Sequence, residues 1–280
     1  MRLGLVYVVT AGLAVAAATV SATEVSLRCA AVAFGVLAWQ VATGAAAPRL
    51  RWPLAAGCVL SAAAALVRQA TYAHPPDDVG WFAYGPPGTA ALVAMRDTTC
   101  WWLGRGLVAA GVQLGAVVLF TGAVYALPPV HRRARIVSTV VVAVVIAAGA
   151  GADRWFGTEP WRVGSALCTL WPGLLATAAG LTGLILAGRR ADHRWLVAAG
   201  AALVATAAAV TLSDLTGLWL TAWSLADLAS SEPQAGVALS VAVGEPGAPE
   251  LTAALTTAAT LCGPALLAHG VLRAAPRVEA

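Results

Sequence analysis

The chain has 280 residues, 60% of them hydrophobic and 11% charged, with a mean hydropathy of +0.79 and a formal net charge of +4. A soluble domain carries about 25% charged residues, so this composition excludes a globule covered by water and points to a multi-pass protein of the cell (inner or plasma) membrane. All seventeen basic residues are arginine; that usage fits the codons of a GC-rich genome and a basic membrane face, and nucleic acid is not an expected partner.

The first segment, Leu3–Ala22, has a basic start, an apolar core and a Val-Ser-Ala end. That is the pattern of a signal peptide cut after Ala22, but the long apolar core favours retention as a first span. Further apolar runs follow at Cys29–Ala47, Pro53–Ala73, Trp101–Leu127, Ile136–Ala152, Ser165–Ala187, Trp195–Leu212 and Glu250–Leu272. Most approach the ~20 residues a helix needs to cross a bilayer. The expected fold is all-α, a polytopic bundle of about eight transmembrane helices forming a single transmembrane domain over residues 1–280.

With the N-terminus inside, eleven arginines fall on the inner face and six (Arg28, Arg68, Arg96, Arg105, Arg154 and Arg162) on the outer face or its helix ends. Of the thirteen acids, only Asp192 and Glu279 lie inside. The arginine bias gives an N-in, C-in topology.

Two long outer connections are expected, residues 72–100 and 213–249. Each begins with tryptophan-containing polar sequence, then holds a short apolar run, "GTAALVAM" from Gly88 or "GVALSVAV" from Gly236. Those runs are too short to span and read as interfacial or re-entrant segments. The shared pattern divides the spans into two sets of four, the outline of a weak 4+4 parallel repeat. Outer tryptophans suit headgroup depth without any further role.

Within the first connection, Gly80–Pro87 ("GWFAYGPP") resembles the glycine-tryptophan-x-x-tyrosine-x-proline loop of haem-copper oxidase main subunits, including its place between the third and fourth spans. Those subunits hold haem and copper with several intramembrane histidines. Here only His269 lies within a span and His74 at an outer helix end, so the redox centres do not carry over. No cofactor and no metal site are expected. The five cysteines show no zinc spacing. Cys29, Cys100 and Cys168 lie toward the oxidising outer side, where one disulfide is compatible with the sequence and spacing selects no pair. Hydrolase and phosphate-loop signatures are absent.

The remaining polar features gather outside. Arg68 and Arg105 fall in the outer turns of the third and fourth spans, Asp97 lies in the loop that joins those spans, and Asp214 lies at the start of the second long loop. The four residues could line an outer vestibule for an anionic or zwitterionic solute or a lipid headgroup. Asp77, Asp78, Trp81, Phe82, Tyr84, Trp219 and Trp223 form an outer-loop interaction set, with the first loop read as a lid on an aromatic anchor. Gln40 and Gln113 are the main large polar side chains within spans and read as packing glue. "GVQLG", Gly111 to Gly115, has small-x-x-x-small spacing that lets helices approach.

No mid-membrane acid is present in any span, which disfavours ion-coupled transport. The leading expectation is a non-catalytic subunit or scaffold that docks another membrane protein, or a second copy of itself, through its outer loops, with membrane lipids as its surroundings. Two alternatives are a permease-like facilitator and a lipid or cell-wall precursor enzyme using outer carboxylates. No catalytic residue is assigned. The topology is open to direct test. A reporter fused after Arg135 or Arg190 is expected to read cytoplasmic, and one inserted at Gly85 or Gly236 external. An external signal after Arg190 overturns the eight-span threading.

Overall fold

The computed structural model of the protein describes residues 2–44, 47–73, 89–127, 132–150, 174–186, 193–230 and 250–274. Among these residues are eight α-helices and no strand: α1 (Arg2–Thr19), α2 (Thr23–Ala42), α3 (Pro48–Ala73), α4 (Thr89–Tyr125), α5 (Arg132–Ala150), α6 (Leu174–Leu186), α7 (Arg194–Ser230) and α8 (Glu250–Ala274). Five contain stretches long and apolar enough to cross a membrane, at Thr23–Ala42, Pro48–Thr71, Arg96–Tyr125, Arg194–Leu212 and Ala253–Arg273. The other three expected spans coincide with shorter apolar helices, Leu3–Thr19, Ile136–Val145 and Leu174–Leu186. Large apolar side chains face outward on α1 (Leu5, Val8, Val9), α5 (Val140, Val144) and α8 (Leu251, Leu255). Such faces suit lipid, where they lose nothing by exposure.

Six helices close a ring. α1 packs on α2, α2 on α3, α3 on α4, α4 on α7, α7 on α8, and α8 returns to α1 while also touching α2, α3 and α4. The largest fully buried side chains, Phe34, Phe120, Leu50, Leu54, Leu186, Leu261 and Leu267, fill the interior. Phe120 sits against Gly57, where an added Cβ would fall 2.6 Å from the ring. Gly57 therefore makes the space that the phenylalanine occupies.

The tightest seam joins α7 to α8. A Cβ on Gly270 would lie 2.8 Å from the Val197 backbone nitrogen, one on Gly263 would lie 2.9 Å from that of Val204, and one on Gly200 would lie 2.7 Å from Leu267 Cα. Val197 opposite Gly270 and Val204 opposite Gly263 makes the pair antiparallel. α6 leans on the same helix, with Gly183 facing Ala198 Cα at 3.0 Å. The "GVQLG" pair behaves differently: Gly115 meets Leu60 on α3, while Gly111 has nothing within 4 Å.

Polar backbone groups that helices leave exposed are met by side chains from elsewhere in the bundle. Pro264 interrupts α8; it has no N–H for the carbonyl four residues back, and its ring crowds the preceding turn. Three residues before the proline, the Tyr7 hydroxyl of α1 donates to the Leu261 carbonyl at 2.7 Å and ties α1 to α8. The Ser26 hydroxyl donates to Ala14 O at 2.8 Å, pinning α2 to α1 across the turn at Val20–Ala22, where Ser21 takes a left-handed conformation, φ 56°. Arg51 Nη1 donates to Gly44 O at 3.2 Å and so satisfies a carbonyl just beyond the end of α2.

Two helices are longer than the sequence suggests. α4 is continuous from Thr89 and takes in residues 89–95 of the "GTAALVAM" run. α7 runs on through residues 213–230, where Leu215, Leu218, Ala222 and Leu225 keep a helical period and no proline intervenes. The "GVALSVAV" run lies outside the described residues. Each of these helices has 37 residues, about 55 Å at 1.5 Å per residue, against a hydrocarbon core of about 30 Å. Both continue past the level of Arg68: α7 runs on beyond Thr211 to Ser230, and α4 begins at Thr89, ahead of Gly106, which meets Leu215.

The glycine seam generates a prediction. Gly270→Ala is expected to lower the melting temperature in detergent, because its Cβ meets backbone that cannot move aside. Gly35→Ala, at a helical position with nothing within 4 Å, is expected to be neutral or to stabilise by up to about 1 kcal/mol through helix propensity. Equal melting temperatures for the two variants would contradict the seam.

Candidate functional site

Charge is sorted by the helix ends. Arg49, Arg51, Arg194 and Arg273 lie at one end of the bundle, which holds no acid among the described residues. All five acids in the described helices, Glu24, Asp97, Asp214, Asp227 and Glu250, lie at the other end or toward it, together with Arg28, Arg68, Arg96 and Arg105.

At this mixed end Arg68 is the most enclosed arginine of the expected site. It sits half-buried about a turn and a half from the end of α3, and its Nη2 donates to the Thr211 hydroxyl of α7 at 2.8 Å. Thr211 Oγ1 in turn donates to Ala207 O at 3.0 Å. The hydroxyl thus relays a charged donor into the carbonyl ladder of α7. Asp214 is three residues further along α7. α4 joins the same contact one residue from Arg105, where a Cβ on Gly106 would fall 2.7 Å from Leu215 Cδ2.

The other two members of the expected vestibule make their described contacts elsewhere. Arg105 is exposed, with its guanidinium over the Trp101 ring at 5.3 Å from the centroid. Trp101 in turn meets Trp102 edge-on at 5.0 Å. Asp97 is 63% exposed and accepts from Arg96 Nε at 3.1 Å and Nη2 at 2.9 Å. An exposed pair of this kind contributes about 0–1 kcal/mol. The structure therefore joins Arg68 of α3 to Thr211 of α7, while Asp97 and Arg105 are engaged by Arg96 and Trp101.

Of the aromatic set, Trp219 and Trp223 stand on α7 rather than on a loop, four residues apart and so on one helical face; the Trp219 side chain is exposed. Asp77, Asp78, Trp81, Phe82 and Tyr84 lie outside the described residues, and the lid reading of that loop falls there with them. Cys29, Cys58, Cys100 and Cys262 carry free thiols, and Cys168 lies outside the described residues. Among the described residues no three of His, Cys, Asp and Glu converge.

Thr211 is the participant that sequence reading missed. A threonine within an apolar run usually bonds its own helix, as Ser61, Thr71, Thr206 and Thr260 do here. Only the crossing of α3 and α7 shows that Thr211 also receives an arginine. Searches for a matching family model, curated relative or solved structure find none for this chain.

The two arginines should respond differently to removal. Arg68→Ala takes a charged donor from a half-buried threonine, and hydrogen bonds to charged groups contribute about 1.5–3 kcal/mol. Arg105→Ala removes an exposed cation–π contact of about 0.5–1 kcal/mol. Thermal unfolding in detergent is expected to show the larger loss for Arg68→Ala, with Thr211→Val reproducing most of it. Equal losses would mean that the Arg68 contact is no stronger than a surface one.

Proposed function

We propose that this membrane protein is a non-catalytic subunit or scaffold, crossing the cell membrane eight times with both termini inside and docking another membrane protein through its outer face. The sorting of charge between the helix ends supports the orientation, since the end free of described acids corresponds to the arginine-rich loops. The observation that carries the docking reading is the joint extension of α4 and α7. Two 37-residue helices, each longer than a hydrocarbon core is thick, run on past the level of Arg68 at the end that also holds Asp97, Trp101, Trp102 and Trp219. Paired helical extensions with exposed tryptophan and charge offer contact area that a partner can bury, and tryptophan and arginine dominate binding hot spots.

The bundle interior supports a scaffold over a permease. Phe34, Phe120, Leu54 and Leu267 occupy the space between helices, and hydroxyls at Ser61, Thr71 and Thr206 bond their own helices. A solute path needs a run of polar groups facing one another, and these groups face carbonyls of their own turns.

Co-purification in mild detergent, quantified for wild type and two variants, separates this reading from the enzymatic one. Trp81→Ala is expected to reduce recovery of a stoichiometric membrane partner severalfold. Asp77→Asn combined with Asp78→Asn is expected to leave that recovery unchanged. A double variant that folds and keeps the partner but loses a lipid- or precursor-modifying activity would make the loop a chemical site and overturn the scaffold assignment.

A further inference from the structure

At the end of the bundle that carries Arg51, a cleft of about 470 Å³ opens between α1, α2 and α8. It is remote from Arg68 and from the proposed docking face. Its walls include Val8, Leu37 and Leu272, and its polar residues are Tyr7, Gln40 and His269. The volume lies within the ~300–1,000 Å³ of small-molecule sites.

Two observations define what the cleft asks for. First, Gln40 Nε2 is buried and has no hydrogen-bond partner. An amide nitrogen is a donor only, and a buried donor without an acceptor is expensive. Second, Arg273 stands one turn beyond His269 on α8, and no described acid lies at this end. The cleft thus pairs apolar walls with an unmet donor and a nearby cation.

We propose that this cleft binds an anionic phospholipid, its phosphate and ester oxygens accepting from Gln40 and His269 near Arg273 and one acyl chain lying against Val8, Leu37 and Leu272. A lipid fits better than a second helix, whose backbone carbonyls are already consumed by its own hydrogen bonds. Val8 is 66% exposed, so the apolar wall continues onto the lipid-facing surface of α1 and the chain can enter from the side. Basic pockets between membrane helices are established sites for anionic headgroups.

The test uses the full chain in detergent micelles, titrated with phosphatidylglycerol or with phosphatidylcholine of the same acyl length and read by native mass spectrometry. Phosphatidylglycerol is expected to be retained about five-fold better, the ratio that corresponds to one arginine near a headgroup. Arg273→Gln and Gln40→Leu are each expected to erase most of that preference. Gln40→Leu also guards against misfolding as an explanation. It removes an orphaned donor, so lipid-free protein should melt no lower than wild type while losing lipid selectivity. Equal retention of the two lipids, or a preference that survives both substitutions, overturns the proposal. Inorganic phosphate displacing phosphatidylglycerol at millimolar concentration would show an anion site without a lipid and overturn it as well.

Discussion

Helices in a bilayer gain nothing by hiding leucine from lipid, so they associate only as far as their backbones can approach. In this protein that constraint is met most fully between α7 and α8. Gly200, Gly263 and Gly270 remove the side chains that would hold the two helices apart. The close approach places α8 where it can touch α1, α2, α3 and α4 as well. The central position of α8 then explains the remaining contacts: Leu267 and Val271 join the core shared with Phe120 and Leu54, and Leu261 comes within reach of Tyr7. Loosening the seam would remove the element against which most other helices are placed.

Polar groups in the bundle follow a second regularity. Hydroxyls near the middle of the membrane segments bond the turn below them, and long-range polar contacts are reserved for places where the backbone or a charge demands one. Tyr7 reaches from α1 to the Leu261 carbonyl of α8, and Arg68 crosses from α3 to Thr211. Gln40 Nε2, Arg51 Nε and Thr182 Oγ1 are the exceptions among the described residues, buried atoms that no protein group meets. Exceptions of this kind mark where something other than the chain completes the structure.

Much of the architecture is legible in the sequence because hydropathy and charge are one-dimensional signals. The apolar runs locate eight helices among the described residues, five of them long and apolar enough to cross a membrane. Helix length is less legible. Residues 213–230 contain serine, aspartate, threonine and tryptophan, which read as interface, yet their leucines keep the helical period and carry α7 onward. Glycine pairing is not legible at all. The chain has 28 glycines, and only the antiparallel register of α7 and α8 determines that Gly263 and Gly270 meet backbone while Gly111 meets nothing. Arg68 stood out as a charge at a helix end. Thr211 did not, since its role depends on which helix crosses α3.

The hydrogen bond between Tyr7 and Leu261 joins residues 254 positions apart, and that distance has a temporal meaning during biosynthesis. At about 5–20 residues per second, α8 leaves the ribosome roughly 13–50 s after α1. Throughout that interval the tyrosine hydroxyl has no carbonyl to receive its proton, and α1 has α2 as its only partner in the finished contact pattern. Ring closure therefore waits for α8, and a chain halted before α8 is an open arc of helices in which Tyr7 lacks the Leu261 carbonyl.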